Sequence, residues 1–570
     1  MADQPTQVRE ASATGLRRFI PLLAWLPGYR GTGGFRRDLI AGISVAALLI
    51  PESMGYAEIA GVPPEVGLYA APAALIAYAV FGSSRLLVVA TASAVAAVSA
   101  GIVGSLSGGD EEAAIALSGA LAVVAGLIFL VAGLARLGWV SNFMSKAVME
   151  GFIVGLSISI IIGQLDALAG VEVEGENAIA ELFDLLSQIG SWSSLTLVFG
   201  IGSLAALFAM EYFLPRIPGA LTVVVVAIVL VSVFDLDAEG LAIVGEIPRG
   251  LPEFGIPDVE ASQWLALIPG AFAIVLVGFS EGFAAGNDVA APGEHLDANQ
   301  EFIGYGASSL GAGLSGGMVV SGSLSKTAAN REAGAVSQMS NIVNAGIVLL
   351  TLVLLAPLFT NLPEATLGAI VIHAVWKSAD PRRLLPFRRI QPIEFWLAVT
   401  VLVAVLVIGE IQAVILGVVI SLLIIVYRVS FPRSTRLGRD PETGYLVAVD
   451  RTEGAQTTPG IIVYRFEAPL IYSNAAAFER DAVDLVQASD VPVTMVVIDG
   501  EGIFEIDASG AESLVSLIAE LRAVDVSVRL ARVHTPVYEA LERGGLIDDI
   551  GADAFDAVPE DALPPHNDGG

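Results

Sequence analysis

The sequence predicts a polytopic α-helical membrane protein of fourteen spans, followed by a small soluble α/β domain. Of the 570 residues, 55% are hydrophobic and only 15% are charged, and the mean hydropathy is +0.73. This is far more apolar than a soluble domain. Apolar stretches recur between Asp38 and Arg428, whereas after Pro459 short apolar runs alternate with amphipathic segments. The first pattern is typical of membrane spans, and the second is typical of the strands and helices of a soluble domain.

Twelve stretches approach the ~20 apolar residues that a spanning helix needs. Two further stretches, 86–101 and 320–333, are too short or too polar to cross as ordinary helices, and they bring the count to fourteen. The 60 glycines and 28 prolines are compatible with broken helices in a membrane. The twelve predicted spans are 38–58, 67–82, 113–136, 147–168, 192–213, 219–235, 264–283, 302–318, 337–356, 364–377, 392–408 and 410–427.

Basic residues indicate the orientation, because positive charge is retained on the cytoplasmic side of a membrane. They precede the last predicted hairpin, as at Arg388, and follow it, as at Arg433, and others lie near the start of the chain. We therefore expect cytosolic N- and C-termini in a bacterial inner membrane. The predicted domains are a cytosolic N-terminal segment (1–37), a transmembrane domain (38–430), a linker (431–458), a soluble domain (459–556) and a disordered tail (557–570).

Charge and composition exclude several functions. The net charge is -30, and 25 acidic but only 7 basic residues lie from Asp440 onward. This acidity argues against nucleic acid or anionic lipid as a partner. The chain has no cysteine, and its four histidines lack metal-ligand spacing. We therefore expect no metal site and no cofactor, with ordinary membrane lipid around the spans; the histidines are His295, His373, His534 and His566.

A repeated arrangement of residues indicates two inverted halves. Glu52 lies inside the first predicted span and Glu281 inside the eighth, and a short segment of small residues follows each. The spacing is 39 residues from Glu52 to Thr91 and 40 residues from Glu281 to Ser321. Secondary transporters often consist of inverted repeats that hold the substrate at mid-membrane between discontinuous helices.

Each small-residue segment has the composition of an extended piece that turns into a half-helix. Two helix N-termini would then converge, and their free N–H groups would form an anion site to which Lys326 adds a full positive charge. For either segment alone, tight helix packing through small residues is the alternative. The pair of segments together with Lys326 favours the anion site. Its candidate residues are Tyr56, Thr91, Ala92, Ser93, Ser323, Leu324, Ser325 and Lys326.

Glu52 and Glu281 are the candidate coupling residues, because a carboxylate within a bilayer is costly and is usually functional. Burial beside an anion favours protonation, so the sequence predicts proton (H+) symport. A sodium ion (Na+) held near Glu281 is the competing arrangement. A water-filled vestibule, or hydrogen bonds to the backbone, would explain either carboxylate without a coupling role.

Several motifs of the membrane part are distinctive: Pro51-x-x-Met54-x-Tyr56-Ala57-x-x-Ala60-Gly61-x-x-Pro64-x-x-Gly67-Leu68-Tyr69 and the runs 297–306, 321–327 and 363–372. These residues resemble motifs of the sulfate permease (SulP) family, and the resemblance extends over residues 20 to 550. In the tail, the runs 496–499 and 506–510 have the pattern of a core strand and of a loop that opens a helix, and they resemble a STAS domain.

The resemblance implies a seven-plus-seven inverted repeat in which a core domain, containing half-helices 3 and 10, moves against a gate domain. It also implies homodimers and elevator-like transport of a small inorganic or carboxylic anion, with sulfate as the first expectation. Ser325 and Lys326 would contact the anion, with Lys326 at a position usually held by Arg. Glu281 resembles the acidic residue of helix eight that is associated with cation coupling.

Two departures from the family pattern leave the substrate open: Glu52 replaces the usual Gln, and Ala90-Thr91 replaces the usual Gly-Pro. A sodium-coupled bicarbonate transporter, an anion exchanger and a dicarboxylate carrier are the alternatives within the class. A membrane sensor that signals through the STAS domain is the alternative from another class. An enzyme is not expected, because the sequence contains no nucleophile–base set.

The STAS resemblance also singles out Ser509. It implies that Ser509 is a candidate regulatory residue, because the corresponding serine of bacterial anti-sigma antagonists can be phosphorylated. A simple N-cap of a helix is the alternative role for Ser509. We expect this domain to bind its own transporter or a cytosolic protein partner.

Overall fold

The computed structural model describes residues 19–29, 34–139, 145–175, 177–214, 217–292, 294 and 296–564. His295 and His566 lie outside the described residues, as do the first basic residues of the chain. The described residues form two compact units, one that ends at Ser421 and one that begins at Leu422, so the boundary lies within the helix Glu410–Ser430.

The first unit is helical. Among the described residues, eight helices are long and apolar enough to cross a membrane, and three shorter apolar helices accompany them. This confirms a multi-pass membrane protein. The helices are α1 (Leu22–Tyr29), α2 (Phe35–Ile59), α3 (Pro64–Phe81), α4 (Ser93–Ser107), α5 (Glu111–Leu134), α6 (Lys146–Gly163), α7 (Leu165–Ala169), α8 (Ala178–Ser187), α9 (Ser194–Phe213), α10 (Gly219–Phe234), α11 (Ala261–Val289), α12 (Ala298–Leu314), α13 (Leu324–Glu332), α14 (Met339–Leu350), α15 (Glu364–Val375), α16 (Leu385–Ile390), α17 (Pro392–Ile408) and α18 (Glu410–Ser430).

Helix boundaries follow capping side chains rather than hydropathy alone. The predicted span 302–318 is helix α12, which begins at Ala298 because the Asp297 carboxylate accepts hydrogen bonds from the N–H groups of Asn299 and Gln300. The predicted span 264–283 is helix α11, which continues to Val289. Side-chain capping and polar helical turns extend a helix beyond its apolar run, and a hydropathy window does not detect them.

The first unit contains two short strands, β1 (Val89–Ala90) and β2 (Ser321–Gly322). The second unit contains a six-stranded sheet whose strands lie in the order Leu446–Ala448 (β4), Ser434–Arg439 (β3), Ile461–Phe466 (β5), Met495–Asp499 (β6), Ser527–Ala531 (β7) and Phe555–Asp556 (β8). Strands β5 to β8 are parallel, and β3 is antiparallel to β4 and β5. The second unit is an α/β domain, as predicted, and its apolar core includes Tyr464, Phe466 and Phe478. Its elements are β3 (Ser434–Arg439), β4 (Leu446–Ala448), β5 (Ile461–Phe466), α19 (Ala475–Gln487), β6 (Met495–Asp499), α20 (Ala508–Ala523), β7 (Ser527–Ala531), α21 (Thr535–Arg543), α22 (Ile547–Ile550) and β8 (Phe555–Asp556).

Both predicted edges of this domain differ in the structure. The segment 431–458, predicted as a linker, contributes strands β3 and β4, because the edge of β5 pairs with β3 from Ser434↔Phe466 onward. The described part of the predicted disordered tail is also ordered: a 3-10 turn spans Pro559–Ala562, and Leu563 is buried beside Leu437. Residues 565–570 lie outside the described residues.

Candidate functional site

Two short, buried strands of the membrane unit pair with each other, and we call this place the crossing. Strand β1 (Val89–Ala90) pairs antiparallel with β2 (Ser321–Gly322), with Val89 opposite Gly322 and Ala90 opposite Ser321. Helix α4 begins three residues after β1, and helix α13 begins two residues after β2. Because the strands are antiparallel, the N-termini of the two helices both start at this crossing, as the repeat predicts.

Backbone N–H groups are available at both helix starts. No side chain caps helix α4 at Ala92. At α13 the Ser323 hydroxyl accepts a hydrogen bond from the Lys326 N–H at 3.4 Å and lies 3.2 Å from the Ser325 hydroxyl. Leu324 is 38% exposed and Ser325 is also exposed, so this helix start is accessible. Helix starts of this kind attract anions through their first N–H groups and their dipoles.

Lys326 forms a buried ion pair with Glu52. The Lys326 Nζ lies 2.7 Å from Glu52 Oε2, and the side chains are 0% and 4% exposed. Nζ also donates a hydrogen bond to the Thr91 carbonyl at 3.1 Å and lies 4.6 Å from the centre of the Tyr56 ring. The sequence identifies Lys326 and Glu52 as candidate site residues, but it does not show that their side chains form an ion pair. The pair balances each buried charge, which either residue alone would leave uncompensated.

Two hydroxyl contacts complete this cluster. The Tyr56 hydroxyl donates to Glu52 Oε2 at 3.3 Å, and the Thr91 hydroxyl donates to the Ser53 hydroxyl at 2.7 Å. The structure therefore brings Tyr56, Thr91, Ser323 and Lys326 together around Glu52. Ser53 is absent from the sequence-based set, although its position next to Glu52 in the first span would have suggested it.

Helix α11 carries Glu281 to the same crossing. An ideal Cβ added at Gly282 would lie 2.9 Å from the Gly322 nitrogen, so the backbones of α11 and β2 are in close contact. Glu281 interacts electrostatically with Lys326 and with Tyr56. Among the described residues, its buried Oε2 atom has no hydrogen-bond partner. Glu281 is therefore a second carboxylate near the site that is not in direct contact with a cation.

Two further buried carboxylates secure the loops beside the crossing, and sequence reasoning missed both. Glu301 accepts hydrogen bonds from the Tyr78 hydroxyl at 2.7 Å, from the Ser83 N–H at 2.8 Å and from the Ser83 hydroxyl at 2.7 Å. Asp38 accepts hydrogen bonds from the Val336 N–H and the Ser337 hydroxyl at 2.7 and 2.6 Å. Both side chains are 0% exposed. Asp38 is the first residue of the predicted span 38–58, and Glu301 directly precedes the predicted span 302–318. A carboxylate at the edge of a span is ordinary in a membrane protein, so neither residue gave a clear signal.

Ser509 lies far along the chain in the soluble unit and is exposed in the first turn of α20. Asp507, rather than Ser509, is the N-cap of this helix, because its side chain accepts a hydrogen bond from the Gly510 N–H at 2.8 Å. Ser509 therefore does not have the capping role that was the alternative to a regulatory one.

The broken helices and their paired starts define the fold class of an inverted-repeat membrane transporter with a soluble domain attached. A sulfate permease family model matches residues 35–401, and a STAS domain model matches residues 454–561. The chain belongs to the sulfate permease family and carries a C-terminal STAS domain.

Relatives of this chain include a probable sulfate transporter of Mycobacterium tuberculosis, 35% identical over 538 residues that cover 93% of this chain and 96% of the relative. The chloroplastic sulfate transporter 4.1 of Arabidopsis thaliana is 28% identical over 95% of this chain and 82% of its own length. The chain is therefore similar along nearly its whole length to proteins named as sulfate transporters.

Solved structures have the same fold. The murine Solute Carrier 26 family member A9 anion transporter, in the inward-facing state, matches with a TM-score of 0.87 and 23% identity, over 98% of this chain and 96% of its own. The transmembrane domain of a cyanobacterial bicarbonate transporter matches with a TM-score of 0.58 and 21% identity, over 69% of this chain and 97% of its own. These likenesses confirm the predicted fold class.

Proposed function

We propose that this protein is a secondary active transporter of a small anion, with sulfate as its substrate. The observation that carries the proposal is the crossing of β1 and β2, where two helix starts and Lys326 converge. Sulfate is favoured by the names of the relatives and fits helix starts that present N–H groups and positive dipole ends. Transport rather than sensing is supported because the central site retains its charged residue and its accessible helix start.

The ion pair supports coupling to protons. While Glu52 is ionised, its charge already balances the charge of Lys326. An added anion would then place excess negative charge in a low-dielectric site, which disfavours binding. Protonation of Glu52 releases the charge of Lys326 for the anion, and loss of that proton after the anion leaves restores the ion pair. Glu281 is the second protonatable group near the site. A sodium ion held near Glu281 is the alternative coupling arrangement.

An elevator-like movement, a homodimer and cytosolic termini in the bacterial inner membrane belong to the same proposal. No resident cofactor is required by this mechanism, because substrate binding and proton transfer use side chains and backbone N–H groups. The exposed Ser509 supports a regulatory role of the STAS domain, through phosphorylation or a cytosolic protein partner.

Uptake of radiolabelled anions into proteoliposomes tests the proposal. Full-length protein is reconstituted and given an inward proton or sodium gradient, with labelled sulfate, bicarbonate or a dicarboxylate as substrate. We expect sulfate accumulation that follows the proton gradient. Accumulation of bicarbonate driven only by sodium would replace this proposal with the alternative. Flux of every anion at the level of empty liposomes, in folded protein, would contradict transport.

Matched variants test the site. Lys326→Gln should lower sulfate uptake by about ten- to a hundredfold, because a charged hydrogen bond to an anion contributes about 1.5–3 kcal/mol. Arg331→Gln is the control, since Arg331 lies on helix α13 like Lys326 but is exposed and is paired with Asp288 at 3.5 Å.

Glu281→Gln should weaken gradient-driven accumulation of sulfate. Asp288→Asn, which also lies on helix α11, should not weaken it. If Glu281→Gln accumulates sulfate as the wild type does, Glu281 has no coupling role.

A further inference from the structure

A basic segment connects helices α15 and α17 at one end of the membrane unit. It contains five basic residues and two acidic ones between 376 and 396, in a chain whose net charge is -30. Two of the five basic residues are neutralised: Arg383 pairs with Glu150 at 2.9 Å, and Lys377 pairs with Glu211. Three are exposed and have no carboxylate partner among the described residues: Arg382, Arg388 and Arg389.

Large apolar side chains flank these three arginines in the sequence and are exposed as well. Trp376 is 53% exposed and Trp396 is 64% exposed, and they stand at the two ends of the segment. Between them Ile390 is 79% exposed, Leu385 is 50% exposed and Ile393 is 45% exposed. Tryptophan is enriched where a membrane protein meets the headgroup layer. The segment therefore has the composition of an interfacial element, with apolar side chains for the acyl region and cations for the headgroups.

The local charge identifies the lipid. Zwitterionic headgroups are neutral overall, whereas three unpaired arginines attract a headgroup that carries net negative charge. Arginine also binds phosphate through two parallel hydrogen bonds. The Arg388 guanidinium lies 6.0 Å from the centre of the Phe395 ring, which holds it near the start of helix α17. The net acidity of the chain argues against anionic lipid as a partner in general, and this segment is a local exception.

We propose that Arg382, Arg388 and Arg389, with Trp376 and Trp396 beside them, form a binding site for the headgroup of an anionic phospholipid. The phosphate would lie against the arginines, and Ile390 and Ile393 would contact the upper part of the acyl chains. The site is separate from the β1–β2 crossing, so it does not depend on which anion the protein transports.

Quenching of tryptophan fluorescence by brominated lipid tests this site. Full-length protein is reconstituted in phosphatidylcholine with a small fraction of brominated phosphatidylglycerol, or of brominated phosphatidylcholine as the reference. The fluorescence of Trp376 and Trp396 is sensitive to the lipid next to the segment. The quenching that is lost in a Trp376→Phe/Trp396→Phe variant is the part that these two tryptophans contribute. We expect the anionic lipid to quench this share more strongly than the zwitterionic lipid at equal fraction.

The arginines are then removed. Arg382→Gln/Arg388→Gln/Arg389→Gln should lower the preference for the anionic lipid by at least about fivefold, because each basic residue near an anionic surface contributes about that factor. The matched control removes three exposed arginines from the soluble unit instead, as Arg451→Gln/Arg480→Gln/Arg543→Gln. This control variant changes the net charge of the protein by the same amount, and it should retain the preference for the anionic lipid.

Two results would overturn the proposal. One is equal quenching by both lipids in the wild type, and the other is an equal loss of preference in both triple variants. Added sulfate shows whether the arginines bind a lipid headgroup or a free anion. Sodium sulfate should reduce the preference no more than sodium chloride of the same ionic strength, since only screening acts. A loss specific to sulfate would mean that the arginines attract transported anions instead.

Discussion

Replacing Glu52 by glutamine tests whether this carboxylate occupies the place of the substrate's charge. Removing one partner of a buried ion pair costs about 3–5 kcal/mol, because the remaining charge loses its counter-ion. In Glu52→Gln, Lys326 keeps its hydrogen bond to the Thr91 carbonyl and its contact with the Tyr56 ring. The amide oxygen of glutamine also accepts a hydrogen bond, so we expect the lower end, about 3 kcal/mol of lost stability.

Sulfate should offset this loss. The variant presents an uncompensated cation at the helix starts, so it should bind sulfate more tightly than the wild type does. A ligand at about a hundred times its Kd stabilises a protein by about 2.7 kcal/mol. Thermal unfolding of the purified protein should therefore show a large stabilisation by sulfate in Glu52→Gln and a smaller one in the wild type, with chloride at equal ionic strength as the reference.

Transport gives a second readout for the same variant. Glu52→Gln should still exchange sulfate across the membrane but should no longer accumulate it in response to a proton gradient. Glu211→Gln is the control, because Glu211 is also paired with a lysine but is 36% exposed and far less dependent on its partner. If sulfate stabilises Glu52→Gln no more than the wild type, the idea that Glu52 stands in for the substrate charge is wrong.

Three other substitutions have defined outcomes. Gly282→Ala should lower transport severely, because its Cβ would lie 2.4 Å from the Tyr305 hydroxyl oxygen; Gly104→Ala, which meets nothing within 4 Å, is the control, and equal activity of the two would contradict the close packing. Glu301→Ala should cost about 3 kcal/mol or more in thermal unfolding, since it leaves buried donors unpaired, and an unchanged midpoint would refute this. Asp499→Asn should cost about 2 kcal/mol and speed proteolysis of the STAS domain, because the buried Asp499 carboxylate pairs with Arg465 and Arg532; unchanged proteolysis would count against a stabilising role.

The half-helices could be predicted from the sequence because they follow from local chemistry repeated at matching intervals. Glu52 to Thr91 and Glu281 to Ser321 have nearly equal spacings, and Ser323 caps a helix in the structure as a serine of this pattern would. The crossing itself joins distant parts of the chain. Its strand register, with Val89 opposite Gly322, depends on three-dimensional packing that one sequence does not encode in any local pattern.

The pairing of charges could not be predicted from the sequence for the same reason. Glu52 lies in the first span and Lys326 in a half-helix of the second repeat, so their contact requires the two repeats to interlock. The strands β3 and β4 were missed for a different reason. Strand β4 has only three residues and lies at the edge of the sheet. Strand β3 is as long as Ile461–Phe466, but it is mostly polar and only Leu437 and Gly438 in it are buried. Neither strand therefore has the continuous apolar run that identifies Ile461–Phe466 as a strand.

The ion pair also explains how the site remains stable between transport cycles. A lysine with 0% exposure in a membrane protein needs a negative charge nearby at all times. If only the substrate supplied that charge, the empty site would be strongly destabilised after each release. Glu52 supplies it within the chain, and in the mechanism that we propose the incoming anion replaces it when Glu52 is protonated. On this proposal, the departure from the usual Gln at this position couples occupancy of the site by an anion to occupancy of Glu52 by a proton.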